Sequence, residues 1–217
     1  MNIINGCIKF FNMRIILTLF IYFFSFSAIA EDISDFQIEG MSIGDSALSY
    51  FDEKQLEDGE QGWHNYGYEE FSTSLVSGKG IYDWFLVSYR SDDYDFKIVA
   101  LVGGLEKKNY NNEECNNKLD DVALNISVLF KKTKQKNKKI YELAADASRK
   151  YPFTGKSTVT SISFDFLDEG EIILECYNMD KQANKNASFI TSTLNQNDSF
   201  RTNIRSRVFI NYLKKKE

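Results

Sequence analysis

Residues 158–177 read TVTSISFDFLDEGEIILECY, and this stretch decides the fold class. Polar and apolar residues alternate along Thr158–Phe166, which is the period of a half-buried β-strand. A turn signal, Asp168-Glu169-Gly170, comes next. The returning segment keeps three apolar residues on one side: Ile172, Leu174 and Cys176. The stretch therefore predicts an antiparallel hairpin that turns one face towards a core.

An earlier stretch predicts a second hairpin. Residues 82–90 and 94–102 are rich in strand-forming residues, and Ser91-Asp92-Asp93 separates them as a turn. Both sides of 82–90 are apolar, which is typical of a central strand pair covered on two faces. Gly103-Gly104 is predicted to end the returning strand.

The strongest helical signal lies between the two hairpins. Asn111 or Asn112 is a candidate N-cap, and Glu113 and Glu114 fall in the first turn, where acidic side chains suit the helix dipole. The apolar positions recur at helical spacing: Cys115, Leu119, Val122, Ile126 and Leu129. Lysines follow from residue 131. The pattern predicts a long helix with one face in the core.

Weaker signals flank these three elements. Residues 36–60 predict a short strand and two short helices capped at Ser42 and Asp52, the second ending at Gly59. Further strands are predicted at Phe71–Val76, 187–194 and 200–205, and a last helix is predicted from Ser206 to Leu213. We therefore predict an α+β fold for residues 31–217 as a single domain. Its antiparallel sheet is built from two hairpins plus extra strands, packed by a long helix and flanking short helices.

The first 30 residues have the pattern of a cleavable secretory signal. Lys9 and Arg14 precede an apolar run, Ile15–Phe26, that is short for a membrane span of about 20 residues. Ala28-Ile29-Ala30 has the small-x-small form of a cleavage site. We expect residues 1–30 to be the signal peptide, with Met13 as an alternative start to Met1, and the working protein to be periplasmic or secreted. A retained anchor is the competing interpretation; after cleavage we expect no stable membrane insertion.

Charge is unevenly distributed along the remaining chain. Residues 31–70 hold twelve acids and one lysine, whereas residues 131–150 hold eight bases and two acids. The lysine run 131–139 and Lys214–Lys216 are compatible with anionic lipid or nucleic acid, but also with solvated faces and helix ends. Loss of Lys9 and Arg14 leaves 24 bases against 31 acids, so we expect no nucleic-acid partner.

Two cysteines remain after removal of the signal, since Cys7 lies within it. Cys115 falls on the apolar side of the predicted helix and Cys176 on the apolar side of a predicted strand. An exported protein meets an oxidising compartment, where such a pair forms a disulfide if helix and sheet pack together. Free buried thiols or a catalytic thiol are the alternatives, and a catalytic thiol would depend on the single histidine, His64.

Motifs for catalysis are weak throughout the sequence. Gly155-Lys156-Ser157 is the tail of a phosphate-binding loop, but Lys150 stands where the first glycine belongs and a strand is predicted after it. One histidine excludes zinc sites built on several imidazoles, and we expect no metal and no cofactor. The segment 62–68 is a possible ligand loop for a sugar or peptide, or simply a packed loop, with these candidate residues: Trp63, His64, Tyr66 and Tyr68.

Two resemblances add to these patterns. The segment Ile38–Asp45, reading IEGMSIGD before a predicted helix, resembles the opening of small envelope domains of the SmpA/BamE type. The layout of the whole exported chain is similar to that of exported proteins of marine alphaproteobacteria. The markers are GMSIGDS at 40–46, Glu-Glu-Cys at 113–115, GKSTVTS at 155–161 and Glu-Cys-Tyr at 175–177. The second resemblance implies export but no particular activity.

The sequence thus favours an exported, non-enzymatic binding or envelope-associated protein, acting through a sheet edge or the loop 62–68 on an unknown protein or small-molecule ligand. The competing hypothesis is a hydrolase of unfamiliar type that uses His64 or paired carboxylates.

Overall fold

The computed structural model describes residues 32–61, 70–106, 111–142, 157–167, 169–179 and 199–216. Within them lie eight strands: β1 Phe71–Ser77, β2 Trp84–Arg90, β3 Ile98–Leu105, β4 Lys134–Gln135, β5 Lys139–Glu142, β6 Thr158–Asp165, β7 Gly170–Asn178 and β8 Ser199–Ser206. The α-helices among these residues are α1 Glu53–Asp58, α2 Asn112–Leu129 and α3 Arg207–Lys216, and 3-10 turns span Ile33–Asp35 and Ala47–Ser49. The α+β class with a large antiparallel sheet is confirmed.

All eight strands belong to one sheet whose order differs from the chain order. The sequence of neighbours is β1-β2-β3-β8-β7-β6, and both β4 and β5 pair with β6. Every pairing is antiparallel. The last strand of the chain, β8, therefore lies in the middle of the sheet. In the described residues it is the strand that joins β1–β3 to β4–β7.

One face of the sheet, which we call the helix-covered face, carries the main core. Its strand residues include several that are fully buried: Phe85, Leu101, Phe164, Ile172, Leu174 and Ile204. Helix α2 contacts β6, β7 and β8 there and buries Cys115, Leu119, Ala123 and Ile126. The segment before β1 covers the rest of this face, for example through Phe51, whose ring lies 6.3 Å from that of Phe85. Each large apolar side chain buried this way contributes about 1.5–3 kcal/mol.

The helices begin where polar side chains satisfy their first N–H groups. Asp52 and Gln55 form a reciprocal capping box at the start of α1. Asn111, not Asn112, caps α2 by accepting the N–H of Glu114 at 2.8 Å. Ser206 accepts the N–H of Phe209 at 3.4 Å at the start of α3. These caps fix where each helix leaves the preceding strand or loop.

The short helix predicted to begin after the Ser42 cap is wrong, because the segment between Ser42 and Asp52 forms only the 3-10 turn Ala47–Ser49. The backbone N–H groups of Gly44 and Ala47 donate to the carbonyls of Ile98 (2.8 Å) and Phe96 (3.0 Å). Gly44 also has φ +92°, outside the helical region. Docking of this segment beside the start of β3 therefore replaces the helical hydrogen bonds that the apolar spacing predicted.

The predicted limits of β3 are also wrong at both ends. The turn after β2 extends to Lys97, because the carboxylate of Asp93 accepts the N–H groups of Asp95 (3.0 Å) and Lys97 (3.3 Å). At the other end, β3 continues through the two glycines to Leu105 instead of stopping at Gly103. Gly103 and Gly104 pair with strands on both sides, so they serve the interior of the sheet.

Two apolar positions of the predicted α2 face are not buried in the core. Val122 is half-buried, with Ala123 buried beside it, and Leu129 is 58% exposed. The last turn of α2 leads into Phe130, whose ring contacts those of Phe36 (5.9 Å) and Phe166 (5.3 Å). Phe130 therefore supplies the buried anchor at this end and Leu129 points away from it.

Candidate functional site

The opposite face of the sheet, which we call the polar face, carries a row of paired residues that crosses the strands. Successive partners in the register are Trp84, Gly104, Arg201, Glu175, Ser161 and Lys139. Directly opposed residues in antiparallel strands point to the same face, with Cβ atoms about 4.5–5.5 Å apart. The row thus places an aromatic ring, a guanidinium, a carboxylate and a hydroxyl in sequence across the sheet.

Gly104 lets its two neighbours in this row, Trp84 and Arg201, approach each other. A Cβ at Gly104 would collide with the six-membered ring of Trp84, so the indole occupies the space over the glycine. The guanidinium carbon of Arg201, on the far side of Gly104, lies 5.3 Å from the Trp84 ring centroid. The indole N–H donates to Glu106 at 3.0 Å. A glycine inside a strand thus permits a close approach that any side chain would block.

Arg201 also stacks on a second ring. Its guanidinium carbon lies 3.8 Å from the centroid of Tyr177, and its Nε donates to the hydroxyl of Ser199 at 3.3 Å. Cation–π contacts of this kind contribute about 0.5–2 kcal/mol depending on desolvation. Two rings from β2 and β7 therefore hold one cation from β8.

A carboxylate completes the group. Glu175 accepts the amide N–H of Asn203 at 3.0 Å and the phenol of Tyr177 at 3.4 Å, and it lies opposite Arg201 in the register. Burial and the neighbouring charge of Glu175 together raise the pKa of Tyr177 to about 12, although the charge of Arg201 acts to lower it. The phenol therefore stays protonated at neutral pH and donates to Glu175. We call these residues the arginine–aromatic cluster: Trp84, Glu175, Tyr177, Arg201 and Asn203.

Four residues away along β7 and β8, a second row carries opposed charges. Arg205 lies 3.8 Å from the carboxylate of Glu171, and Arg207 donates to Asp165 at 2.7 Å. Arg207 also donates to the carbonyl of Leu167 in the turn between β6 and β7. Asp165 and Glu171 face each other in the register and form a carboxylate pair across β6 and β7. Each has an arginine beside it, and such charge-assisted contacts stabilise this part of the sheet.

These groups offer contacts through which a ligand could be recognised. The cluster provides two ring faces, a planar set of N–H donors, an amide and a carboxylate acceptor. His64, the one histidine of the sequence, lies outside the described residues. The groups of His, Cys, Asp and Glu in the described residues include no set of three or more that could hold a metal ion.

The two cysteines predicted to pair are close together in the structure. Cys115 on α2 and Cys176 on β7 lie at disulfide distance on the helix-covered face, with Cα atoms 5.9 Å apart and a sequence separation of 61. Both side chains are buried. The sulfur of Cys115 also lies 3.7 Å from the carbonyl oxygen of Ser199, at the start of β8. The pair thus ties α2 to the strand that carries Glu175 and Tyr177 on its other face.

The predicted ligand loop lies outside the described residues, and this applies to all four of its members: Trp63, His64, Tyr66 and Tyr68. The strand predicted at 187–194 lies outside them as well. None of the helices in the described part of the chain is both long enough and apolar enough to cross a membrane.

Comparison with protein families, curated proteins and solved structures found no match to this chain. The two resemblances drawn from sequence stay predictions.

Sequence reasoning did not single out the arginine–aromatic cluster, although a signal for it exists. Glu171 and Glu175 are four apart on one strand, as are Arg201 and Arg205 on another, so each pair shares a face. Opposed charges at equal spacing would have predicted that the two strands pair. Gly104 carried the other signal, because a glycine within a strand often marks a close approach.

Proposed function

We propose that this is an exported, periplasmic protein without enzymatic activity of its own, which binds a small polar ligand on the polar face of its sheet. The observation that carries the proposal is the arginine–aromatic cluster, in which Arg201 contacts the rings of both Trp84 and Tyr177 across Gly104. A flat aromatic surface beside donors and acceptors suits ligands with an apolar face and a polar rim, such as sugars or short peptides.

The partners of the ionisable groups in and beside the cluster favour a role without enzymatic activity. Tyr177 is held neutral by its raised pKa. Glu175 accepts hydrogen bonds from two side chains, and Asp165 and Glu171 are paired with arginines. Groups held in this way favour orientation of a ligand over proton transfer. The hydrolase hypothesis through His64 stays a prediction.

The two tryptophans of the sequence allow a sharp test. Trp63→Phe leaves Trp84 as the reporter of the cluster, and Trp84→Phe leaves Trp63 as the reporter of the loop 62–68. Each variant is titrated with monosaccharides, amino acids and dipeptides while its fluorescence is followed. We expect a binder to change the emission of Trp84, and we expect Arg201→Gln to weaken that binding at least tenfold.

Three other outcomes would contradict the proposal. A ligand that changes only the emission of Trp63 would move the site to the loop. Silence of both reporters would remove small polar ligands of these classes. Turnover of any substrate that is lost in His64→Ala would favour the hydrolase instead.

Export is tested separately by determining the N-terminus of the protein recovered from the periplasm. We expect it to begin at Glu31, since Ala28-Ile29-Ala30 precedes it as a cleavage site. Recovery in the membrane fraction with residues 1–30 attached would support the retained anchor and would contradict a free periplasmic protein.

A further inference from the structure

The two edges of the sheet are protected differently. On the outer side of β1, the N–H of Gln61 donates to the carbonyl of Thr73 at 2.9 Å, and the N–H of Leu75 donates to the carbonyl of Gly59 at 2.8 Å. Residues 59–61 therefore cover that edge. At the other edge, β5 pairs with β6 on its inner side, and no described strand pairs with its outer side.

The open edge strand β5 exposes apolar side chains. Its four residues, Lys139, Ile140, Tyr141 and Glu142, are all exposed, with Ile140 at 71% and Tyr141 at 50%. Natural sheets usually blunt an open edge with charges or a covering segment. Lys139 and Glu142 supply the charges here, but two large apolar residues lie between them, which is typical of an edge that another strand covers.

We propose that the partner of this edge is β5 of a second copy of the chain, which pairs antiparallel about a twofold axis and makes one continuous sheet. Such an interface is isologous, so the same strand must be complementary to itself. This inference goes beyond ligand binding on the polar face and does not depend on it.

The faces of the sheet restrict the register of this pairing. Ile140 lies opposite Thr160, which lies opposite Cys176, so Ile140 is on the helix-covered face. Lys139 lies opposite Ser161 and Glu175, so it is on the polar face. A twofold axis normal to the sheet keeps like faces together, and residues that oppose each other across it must lie on the same face.

Any twofold register centred on a residue satisfies this rule, and four are centred within β5, on residues 139, 140, 141 and 142. A centre at Lys139 opposes two lysines, a centre at Glu142 opposes two carboxylates, and a centre at Tyr141 sets Ile140 against the carboxylate of Glu142. A centre at Ile140 opposes Ile140 with its own copy, Lys139 with Tyr141, and Lys138 with Glu142. Like charges directly opposed are destabilising, whereas apolar and opposite-charge pairs are favourable. The sequence of β5 therefore selects the register centred on Ile140.

Lys138 is already oriented for this contact. Its Nζ lies 3.0 Å from Asp120 on α2, which places the lysine on the helix-covered face, the face of Glu142. In the dimer, Lys138 of each copy would lie between its own Asp120 and Glu142 of the other copy. Five residues per chain form a small contact, below the roughly 1,600 Å² of standard stable interfaces, so the dimer is expected to be weak and concentration-dependent.

Sedimentation of the purified protein over a range of concentrations tests the pairing and its charges. We expect a reversible dimer, and Glu142→Lys should weaken it at least tenfold by opposing two lysines. Adding Lys138→Glu to Glu142→Lys restores an opposite-charge pair and should recover most of the affinity. A chain that stays monomeric at all concentrations, or a dimer that Glu142→Lys leaves unchanged, would overturn the proposal.

Cross-linking tests the register. Ile140→Cys places two thiols opposite each other on the axis, so it should form an intermolecular disulfide under mild oxidation. Lys139→Cys should not, because its copies are offset by two positions, and Tyr94→Cys is the control at a side chain that is 93% exposed. Equal cross-linking of all three variants would overturn the register. If the protein is monomeric and an added acidic peptide protects the amides of residues 139–142 from hydrogen exchange, the edge serves a different partner.

Discussion

The indole of Trp84 lies over Gly104, its cross-strand partner, and fills the space that a side chain at residue 104 would occupy. This relationship brings Trp84 of β2 within 5.3 Å of Arg201 on β8, two strands away. The glycine is therefore part of the arginine–aromatic cluster without contributing a functional group.

Gly104→Ala should destabilise the protein by about 1–3 kcal/mol, because the new methyl group must displace the buried Trp84 ring. Backbone entropy alone would instead make the Gly104→Ala variant more stable, because Gly→Ala at a permissive site stabilises by about 0.4–1 kcal/mol. Urea unfolding measures the change. In a Trp84→Leu background the same substitution should cost little, and an equal cost in both backgrounds would show that the ring is not the cause.

Tyr177→Phe should reduce the amount of stability that the protein loses as the pH rises above 10. The folded pKa of Tyr177 is raised by burial to about 12 from an ordinary value of 10. Between these values the folded protein keeps a proton that the unfolded chain has lost, so stability falls as pH rises, by up to about 1.4 kcal/mol per pH unit. The contribution is complete below pH 10 and is lost towards pH 12.

The measurement compares urea unfolding of the two proteins from pH 9 to 12. The advantage of the native chain over Tyr177→Phe should shrink across this window, and the ultraviolet titration of phenolate should show one late component that the variant lacks. Tyr94→Phe, at an exposed tyrosine, is the control. A constant difference between native and Tyr177→Phe proteins would refute the linkage.

Replacement of both Cys115 and Cys176 by alanine should lower the free energy of unfolding. For a sequence separation of 61, the chain-entropy model gives about 4 kcal/mol for closing the loop. Unfolding of the native protein with and without reductant should show a change of similar size. Mass measurement after alkylation of the periplasmic protein should find no free thiol; two alkylated cysteines would contradict the disulfide.

Asn111→Ala should cost about 1 kcal/mol, because it removes the side chain that accepts the N–H of Glu114 at the start of α2. Asn112→Ala is the matched control, one residue later on the same turn. The carboxamide of Asn112 contacts only Asn116 among the bonds described for it, so its loss should cost a few tenths of that value. Equal losses of unfolding free energy would show that the cap does not decide where the helix begins.

The fold class followed from the sequence because alternation is a local property. Burial alternates along β6 from Thr160 to Asp165, with Ile162 and Phe164 buried and with Ser161, Ser163 and Asp165 partly exposed, as the polar–apolar alternation predicted. The capping residues Asp52, Asn111 and Ser206 were visible for the same reason, since a cap depends on the residues three or four positions away.

Features that depend on distant contacts were not visible. The spacing of apolar residues between Ser42 and Asp52 fits a helix. However, the N–H groups of Gly44 and Ala47 donate to the carbonyls of Ile98 and Phe96, which are distant in sequence. Strands β4 and β5 were not predicted, because the composition of the lysine run indicates a solvated segment. They form because β6 has an unpaired edge with which they can pair. The position of β8 between β3 and β7 is set by long-range pairing, about which periodicity says nothing.

The central position of β8 has a consequence for the order in which the sheet is completed as the chain is synthesised. In the described residues, the strands β1–β3 and β4–β7 share no strand-to-strand hydrogen bonds until residues 199–206 have been made. A chain that emerges from its N-terminus thus presents two incomplete half-sheets until β8 joins them. Loss of residues 199–206 would remove the described hydrogen bonds between the two half-sheets rather than shorten one edge of the sheet.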